Sequence, residues 1–447
     1  MKCLILAAGK GSRLSNMGKP KPIIKLLGLS LIERVILTLY KCGIKDFYIV
    51  VGYKAKIVKK FLDQFSKKKN ININFILNED WEKENGLSVL KAKKAIKEKF
   101  LLCMCDHIFN EALVFQLLES KIGDNEIALC VDFRINNPFI NKQEATKVLV
   151  EDSNIKDIGK DLIPYNGYDT GLFLCSPVIF DAVEESINKF KDFSLSGAIK
   201  ILAKKGIAKA IDAGQQAFWI DIDDYKAYKK AEILLLEIMS KKETDGPISK
   251  YINRRLSAKI TKHLINTGIT PNKISFFSFL ISILASFTFL LGKYTYLIFG
   301  GLLAQISSII DGCDGEIARL KFQSSKFGAW LDAILDRYAD AFLLFGLTIY
   351  AYNPKNPIPV LFTGFFAMIG SFVNSYMADK YDQFMQKEFK KIRDKKFIRI
   401  GRDIRVMIIF LGALIDRVFL TLLFIAIIMN IENIRRIKVL YQHQGHI

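Results

Sequence analysis

Four carboxylates recur in the stretch DGCDGEIARLKFQSSKFGAWLDAILD, residues 311–336. Asp311 and Asp314 are spaced i, i+3, and Asp332 and Asp336 i, i+4, so each pair shares one face of a helix. Two such faces can surround one or two hard divalent cations, which take carboxylate oxygens. Gly312, Gly315 and Gly328 remove side chains where helices or a ligand must come close. Long apolar runs flank the stretch, and ionisable groups in membrane segments are expensive, so four together read as a functional site. A chance acidic cluster at a helix end is the plain alternative.

A second constellation lies near the N-terminus. KCLILAAGKGSRL reads as a buried parallel strand, Cys3 to Ala8, running into a glycine loop. Gly9 and Gly11 let backbone N–H groups approach phosphates, and Arg13 and Lys21 add neutralising charge. Lys19 and Lys25 are basic neighbours. The loop alone is equally an ordinary strand–turn–helix with surface lysines. Asp106 follows the apolar strand KFLLCMC, and Asp221 ends a later one. Asn85, Gly86 and Ser88 lie in a turn before a helix, with plain turn and N-cap chemistry as the alternative to a binding role. Asp223 and Asp224 are placed to cap the next helix, and His107 reads as a structural neighbour of Asp106 rather than a ligand.

Two scaffolds must hold these groups, and 447 residues suit two domains. Over 1–240, strand patterns (DFYIVVGY, INFILNE) alternate with helical ones (AKIVKKFLDQF), which predicts an α/β doubly wound domain. AEILLLEIMSKK closes that domain with a helix. Residues 241–269 begin with the linker KKETDGP and continue as PISKYINRRLSAKITKHLINTGI. There Lys and Arg recur at helical spacing, as in an interfacial amphipathic helix on the cytoplasmic leaflet; a soluble amphipathic helix is the alternative. Over 270–440, apolar runs at about 274–291, 294–311, 328–350, 357–379, 404–416 and 418–431 predict an all-α polytopic membrane domain of about six transmembrane helices. The last two runs are short of the roughly 20 residues a span needs.

The formal net charge of +20 suits an anionic partner: a nucleotide, a sugar phosphate or an anionic leaflet. No nucleic-acid-binding motif accompanies it. Seven cysteines without metal-ligand spacing fit a reduced cytoplasmic compartment, with Cys103 and Cys105 as core-facing strand residues. MKCLILAAGKG lacks the long apolar region and cleavage site of a signal sequence. Basic segments at 380–405 and 434–438 contrast with weakly charged turns at 292–294 and 353–357. The positive-inside rule then places both termini and the aspartate cluster on the cytoplasmic side.

The spacing Asp, two residues, Asp-Gly, two, Ala-Arg, eight, Gly, three, Asp, three, Asp is similar in full to the signature of the CDP-alcohol phosphotransferases. Asp311, Asp314, Gly315, Ala318, Arg319, Gly328, Asp332 and Asp336 fall on its eight fixed positions. The resemblance implies a membrane enzyme that moves a substituted phosphate from a CDP-activated donor to an alcohol and releases CMP. It implies metal at Asp311, Asp314, Asp332 and Asp336, and nucleotide at Gly315, Ala318, Arg319 and Asn272. Asp336 is also the candidate base for the acceptor hydroxyl. LAAGKGSRL followed by PKPIIKLLGLSLIERVI resembles the nucleotidyltransferases that couple an NTP to a sugar phosphate. That implies nucleotide at Ala7, Ala8, Gly9, Gly11, Asn85 and Ser88, catalytic roles for Lys21 and Arg13, metal at Asp106 and Asp221, and a sugar-phosphate pocket near 168–176.

The order of the two halves resembles archaeal and thermophile fusions of inositol-1-phosphate cytidylyltransferase with di-myo-inositol phosphate phosphate synthase. The resemblance implies CTP, inositol 1-phosphate and CDP-inositol as ligands, and Mg²⁺ at both sites with Mn²⁺ as the alternative ion. It further implies a homodimer formed through the membrane domain and a compatible-solute precursor as product; the Lys, Ile and Glu richness agrees with a thermophilic source. Arg402 and Arg405, spaced i, i+3 near Arg399, are candidates for holding the acceptor's phosphate, against the alternative of lipid head-group anchors. Two rival readings stay open: synthesis of a phospholipid on a lipid alcohol, and a first half reduced to a binding module.

Overall fold

The computed structural model describes residues 1–137, 139–241, 245–385 and 400–443. Residues 242–244 of the expected linker, and most of the expected basic segment with Arg399, lie outside the described residues. The chain divides into two compact units, Met1–Ile233 and Leu234–Ile447.

In the first unit β1 (Lys2–Ala7) leads through two 3₁₀ turns to β2 (Lys25–Leu26), β3 (Leu29–Ser30) and α1 (Leu31–Lys41). Next come β4 (Asp46–Val51), α2 (Ala55–Lys69), β5 (Asn72–Leu77), α3 (Asn85–Leu90), β6 (Phe100–Met104) and β7 (His107–Phe109). They are followed by α4 (Glu111–Glu119), β8 (Ile127–Asp132), β9 (Lys147–Glu151), β10 (Asn154–Gly159) and β11 (Gly167–Cys175). The unit closes with α5 (Val178–Phe190), α6 (Leu195–Lys204), β12 (Ala208–Asp212), β13 (Trp219–Asp221) and α7 (Tyr225–Ser240), which continues into the second unit.

Nine strands form one sheet in the order β5-β4-β1-β6-β11-β8-β12-β10-β9. β5, β4, β1 and β6 are parallel, and β11 runs antiparallel to both β6 and β8. Successive residues of β1 face opposite sides, yet Cys3 to Ala7 are all buried, so both faces of the strand are covered. Two pairings then position chemistry. Parallel register of Leu6 with Met104 brings the loop after β1 beside Asp106. Antiparallel pairing of β13 with β7 sets Asp221 opposite His107. Both lie beyond the carboxyl ends of parallel strands, where α/β sheets hold ligands.

In the second unit a π-helical turn (Ser249–Asn253) opens into α8 (Arg254–Leu264), in place of one continuous amphipathic helix. Among the described residues six helices follow: α9 (Pro271–Leu290), α10 (Tyr294–Leu320), α11 (Lys326–Tyr350), α12 (Pro357–Met385), α13 (Arg402–Leu414) and α14 (Val418–His443). Among the described residues, four segments are long and apolar enough to cross a membrane: Pro271–Leu290, Tyr294–Leu320, Pro357–Ala378 and Val418–Lys438. α11 carries Asp332, Asp336, Arg337 and Asp340, which interrupt its apolar character. α13 has 13 residues, a rise of about 20 Å against a hydrocarbon layer of about 30 Å. The last helix is not short, because α14 continues through polar residues to a length of 26. Phe289, Leu343, Leu347, Val406 and Met429 join α9, α11, α13 and α14 in one core.

Candidate active sites

The first site begins with Lys21, which is nearly buried and donates from Nζ to Asp106 and, at 2.6 Å, to Asp223. Burial opposes its charge, but Asp106, Asp223 and Asp221 outweigh it and hold the ammonium well above its ordinary pKa. Gly11, at φ +61°, makes room: a Cβ there would stand 2.7 Å from Lys21 Cβ and 2.8 Å from Cδ. Asp106, His107 and Asp221 bring ligand atoms within 4.8 Å of one another, a group that could hold a metal ion. His107 Nδ1 lies 2.9 Å from the Thr170 carbonyl, its Nε2 lies 3.5 Å from Asp221, and its ring stacks on Trp219. Burial works against a charged His107, but Asp221 overrides it and lifts the pKa to about 10. Burial also raises Asp221 and lifts Asp169 to about 6.

These groups line a cavity of about 770 Å³. Ala7, Ala8, Gly9, Gly11, Arg13, Asn85, Ser88, Asp106 and Asp221 all border it, so one space gathers the first-half candidates. Arg13 pairs with Glu144 at 3.2 Å. Asn85 and Ser88 also serve the fold: Asn85 Oδ1 accepts from Leu195 N–H at 3.0 Å, and Ser88 Oγ from Asn78 Nδ2 at 2.9 Å. Of Tyr168–Ser176, Asp169 and Gly171 reach the cavity, while Tyr168 and Thr170 are buried.

One expectation is corrected. Asp224 caps α7, accepting from Ala227 N–H at 2.6 Å, but Asp223 turns to Lys21. Burial opposes the Asp223 charge, and Lys21 outweighs burial to depress its pKa. Another buried acid, Asp132, ends β8, where no spacing in the sequence marks it. It accepts from Arg134 Nε at 2.7 Å, Asn137 Nδ2 at 3.0 Å and Trp219 Nε1 at 2.9 Å, tying the strand that bears Asp221 to the loop after β8.

In the second unit α10 supplies Asp311 and Asp314, and α11 supplies Asp332, with oxygens of all three within 4.8 Å of one another. Two serines one turn apart on α9 support α10: Ser275 Oγ donates to Asp314, and Ser278 Oγ to Asp311 at 3.1 Å. Asp336 stands outside the three-carboxylate group and faces Arg402 Nη1 at 2.8 Å. Arg402 Nη1 also lies 3.3 Å from Asp311. Arg405 does not reach the cluster. It is 2 % exposed, and its Nη2 is 2.5 Å from Asp340, so a direct hold on an acceptor is not what its position offers.

Around the signature, a Cβ at Gly328 would stand 3.2 Å from Asn272 Oδ1, which places Asn272 at the start of α11. Arg319 Nε donates to the Met239 carbonyl at 2.6 Å. Glu316, between Gly315 and Ala318, is buried and accepts from Ser257 Oγ at 2.5 Å and Thr261 Oγ1 at 2.6 Å on α8. Gly312 permits that approach, since a Cβ there would be 2.8 Å from Arg254 Nη1. Hard oxygen donors in threes suit a hard divalent cation.

Comparison with known proteins agrees with this division. Residues 3–155 match the family model of the MobA-like NTP transferase domain, and residues 268–433 that of CDP-alcohol phosphatidyltransferase. A protein of Aquifex aeolicus named bifunctional IPC transferase and DIPP synthase is 34% identical over 448 residues, covering 99% of each chain. One of the same name from Archaeoglobus fulgidus is 33% identical over 95% of this chain and 80% of its own. The solved inositol-1-phosphate CTP transferase from T. maritima is 26% identical over 52% of this chain and 95% of its own, with a TM-score of 0.45. The chain is therefore a transferase with a nucleotidyltransferase half and a CDP-alcohol phosphotransferase half, and it belongs to the family of bifunctional IPC transferase and DIPP synthases.

Proposed function

We propose that the first unit joins CTP to inositol 1-phosphate, and that the second transfers phosphoinositol from CDP-inositol to another inositol 1-phosphate. The observation that carries this reading is the presence, in one chain of this family, of two acidic groups each set against a cation: Asp106 and Asp221 with Lys21, and Asp311, Asp314 and Asp332 with Arg402. In the first reaction an oxygen of inositol 1-phosphate attacks the α-phosphorus of CTP, and pyrophosphate leaves. Lys21 and the N–H groups of the Gly9–Gly11 loop hold the triphosphate, and Arg13 adds charge at the cavity edge. A cavity of about 770 Å³ suits two such ligands.

In the second reaction an acceptor hydroxyl attacks the phosphorus that carries inositol in CDP-inositol, and CMP leaves. Asp336, outside the three-carboxylate group, accepts the hydroxyl proton. Asn272, Gly315, Ala318 and Arg319 hold the nucleotide, and Arg402 holds the phosphate of the acceptor. A divalent ion, Mg²⁺ or Mn²⁺, bound at either acidic group supplies neutralisation of phosphate charge. Both sites face the cytoplasm, and the membrane helices pair in a homodimer.

The test is to incubate the full-length protein in lipid with CTP, Mg²⁺ and labelled inositol 1-phosphate. Release of pyrophosphate and then CMP, with a phosphorylated di-inositol product, is expected. CDP-inositol that accumulates until a lipid alcohol is added would move the second reaction to phospholipid synthesis.

A further inference from the structure

Asp340 continues the series Asp332, Asp336, Asp340 at steps of four along α11, so it shares their face one turn beyond the cluster. It is 3 % exposed, and two different guanidinium groups take its oxygens. Oδ1 accepts from Arg402 Nε at 3.3 Å, and Oδ2 accepts from Arg405 Nη2 at 2.5 Å. Arg402 turns its other edge, Nη1, to Asp336 and Asp311. Arg405 is fixed in turn by Ser375 Oγ at 3.3 Å. A guanidinium is a rigid planar fork, so a partner at Nε dictates where the Nη edge points.

We infer that Asp340, braced by Arg405, is a positioning residue that grips Arg402 by its Nε edge and presents its Nη edge to the phosphate of the acceptor. This rests on the proposed transfer to a phosphorylated acceptor. Arg405 then contributes to acceptor recognition from behind Asp340, without touching the acceptor.

The test uses full-length protein reconstituted in lipid, with CDP-inositol and inositol 1-phosphate varied in turn. Asp340→Asn should raise the KM for inositol 1-phosphate about tenfold or more, the loss of one charge-assisted contact. The KM for CDP-inositol and the rate of cytidylyl transfer should stay at wild-type values, and Asp340→Glu should recover part of the loss. In an Arg402→Ala background the same Asp340→Asn change should add less than about twofold, because its route is already gone. Equal effects with and without Arg402 would overturn the inference. Asp340→Asn leaves Arg405 buried without its carboxylate, so Asp340→Asn/Arg405→Met is the second variant. It should stay monodisperse and keep the raised acceptor KM; a wild-type KM in that protein would also overturn the inference. Failure of the underlying reading has another signature: Arg402→Ala alone leaves the acceptor KM unchanged, or CMP appears only with a lipid alcohol. Either result removes both.

Discussion

In the first unit the carboxylates around Lys21 come from two distant strand ends, Asp106 after β6 and Asp221 with Asp223 at the end of β13, whereas Asp311, Asp314 and Asp332 come from two consecutive helices. The first arrangement depends on long-range pairing: β1 with β6, and β7 with β13. The second depends on helical periodicity, reinforced by two serines of the neighbouring helix. The cations differ as well. Lys21 is a point charge on a flexible stem between acids, while Arg402 is a planar fork that reaches Asp311, Asp336 and Asp340 at once. A strand-end site can therefore combine unlike donors, such as His107 with two aspartates. A helix-face site repeats one donor at fixed steps.

The strongest challenge to this comparison is the metal. Chelation should abolish both pyrophosphate and CMP release. On restoring Co²⁺ in place of Mg²⁺, cytidylyl transfer should recover a severalfold larger share of its activity, because only that group offers an imidazole. Equal recovery of the two rates would show that His107 does not distinguish the sites. Next, Asp311→Asn should lower CMP release on the order of a thousandfold, with pyrophosphate release intact. Loss of both activities would contradict two independent sites. Lys21→Ala should slow pyrophosphate release about a hundredfold, with final product restored by added CDP-inositol. A protein that stays inactive with the intermediate supplied would point to a folding defect.

Smaller effects sharpen the comparison. Burial opposes the Asp132 charge, but Arg134 outweighs it and holds the carboxylate below its ordinary pKa. A depressed carboxylate stabilises the fold above its unfolded pKa of about 3.9 and loses that contribution as pH falls through the folded value. Asp132→Asn should cost about 1–3 kcal/mol at neutral pH and flatten the acid limb of the first unit's unfolding, read through tryptophan fluorescence. An unchanged acid limb would assign that loss of stability to other carboxylates. Ser257→Ala should cost about 1.5–3 kcal/mol through its bond to Glu316, seen as a lower Tm of the second unit alone.

The contrast between the sites also explains what could be read from the residues. Asp311, Asp314, Asp332 and Asp336 stood out because steps of three and four report a helix face directly. Asp340 obeys the same step, one turn further along α11. Asp223 was harder to assign. It and Asp224 are adjacent at a strand-to-helix turn, and only the direction of the backbone decides which caps α7 and which meets Lys21. The alternating strand and helix patterns foretold a wound sheet, but not that β11 would enter antiparallel between β6 and β8. Nor does periodicity show that β11 shifts register between Asp169 and Phe173, or that Gly171 there leaves room for the His107 ring. Arg405 misled for a related reason. Its spacing from Arg402 is helical, but burial against α11 and α12 is a property of the assembled bundle.

Glu316 has a mechanical meaning for α8. Ser257 and Thr261 are one turn apart, and both hydroxyls converge on one buried carboxylate. Each residue advances a helix by about 100°. Slipping by one position would present either Leu256 and Ile260 or Ala258 and Lys262 to Glu316. The first pair strands a charge among methyl groups, and the second brings a long cationic chain where Gly312 leaves space only for close packing. The carboxylate thus acts as a detent that gives α8 a single rotational setting.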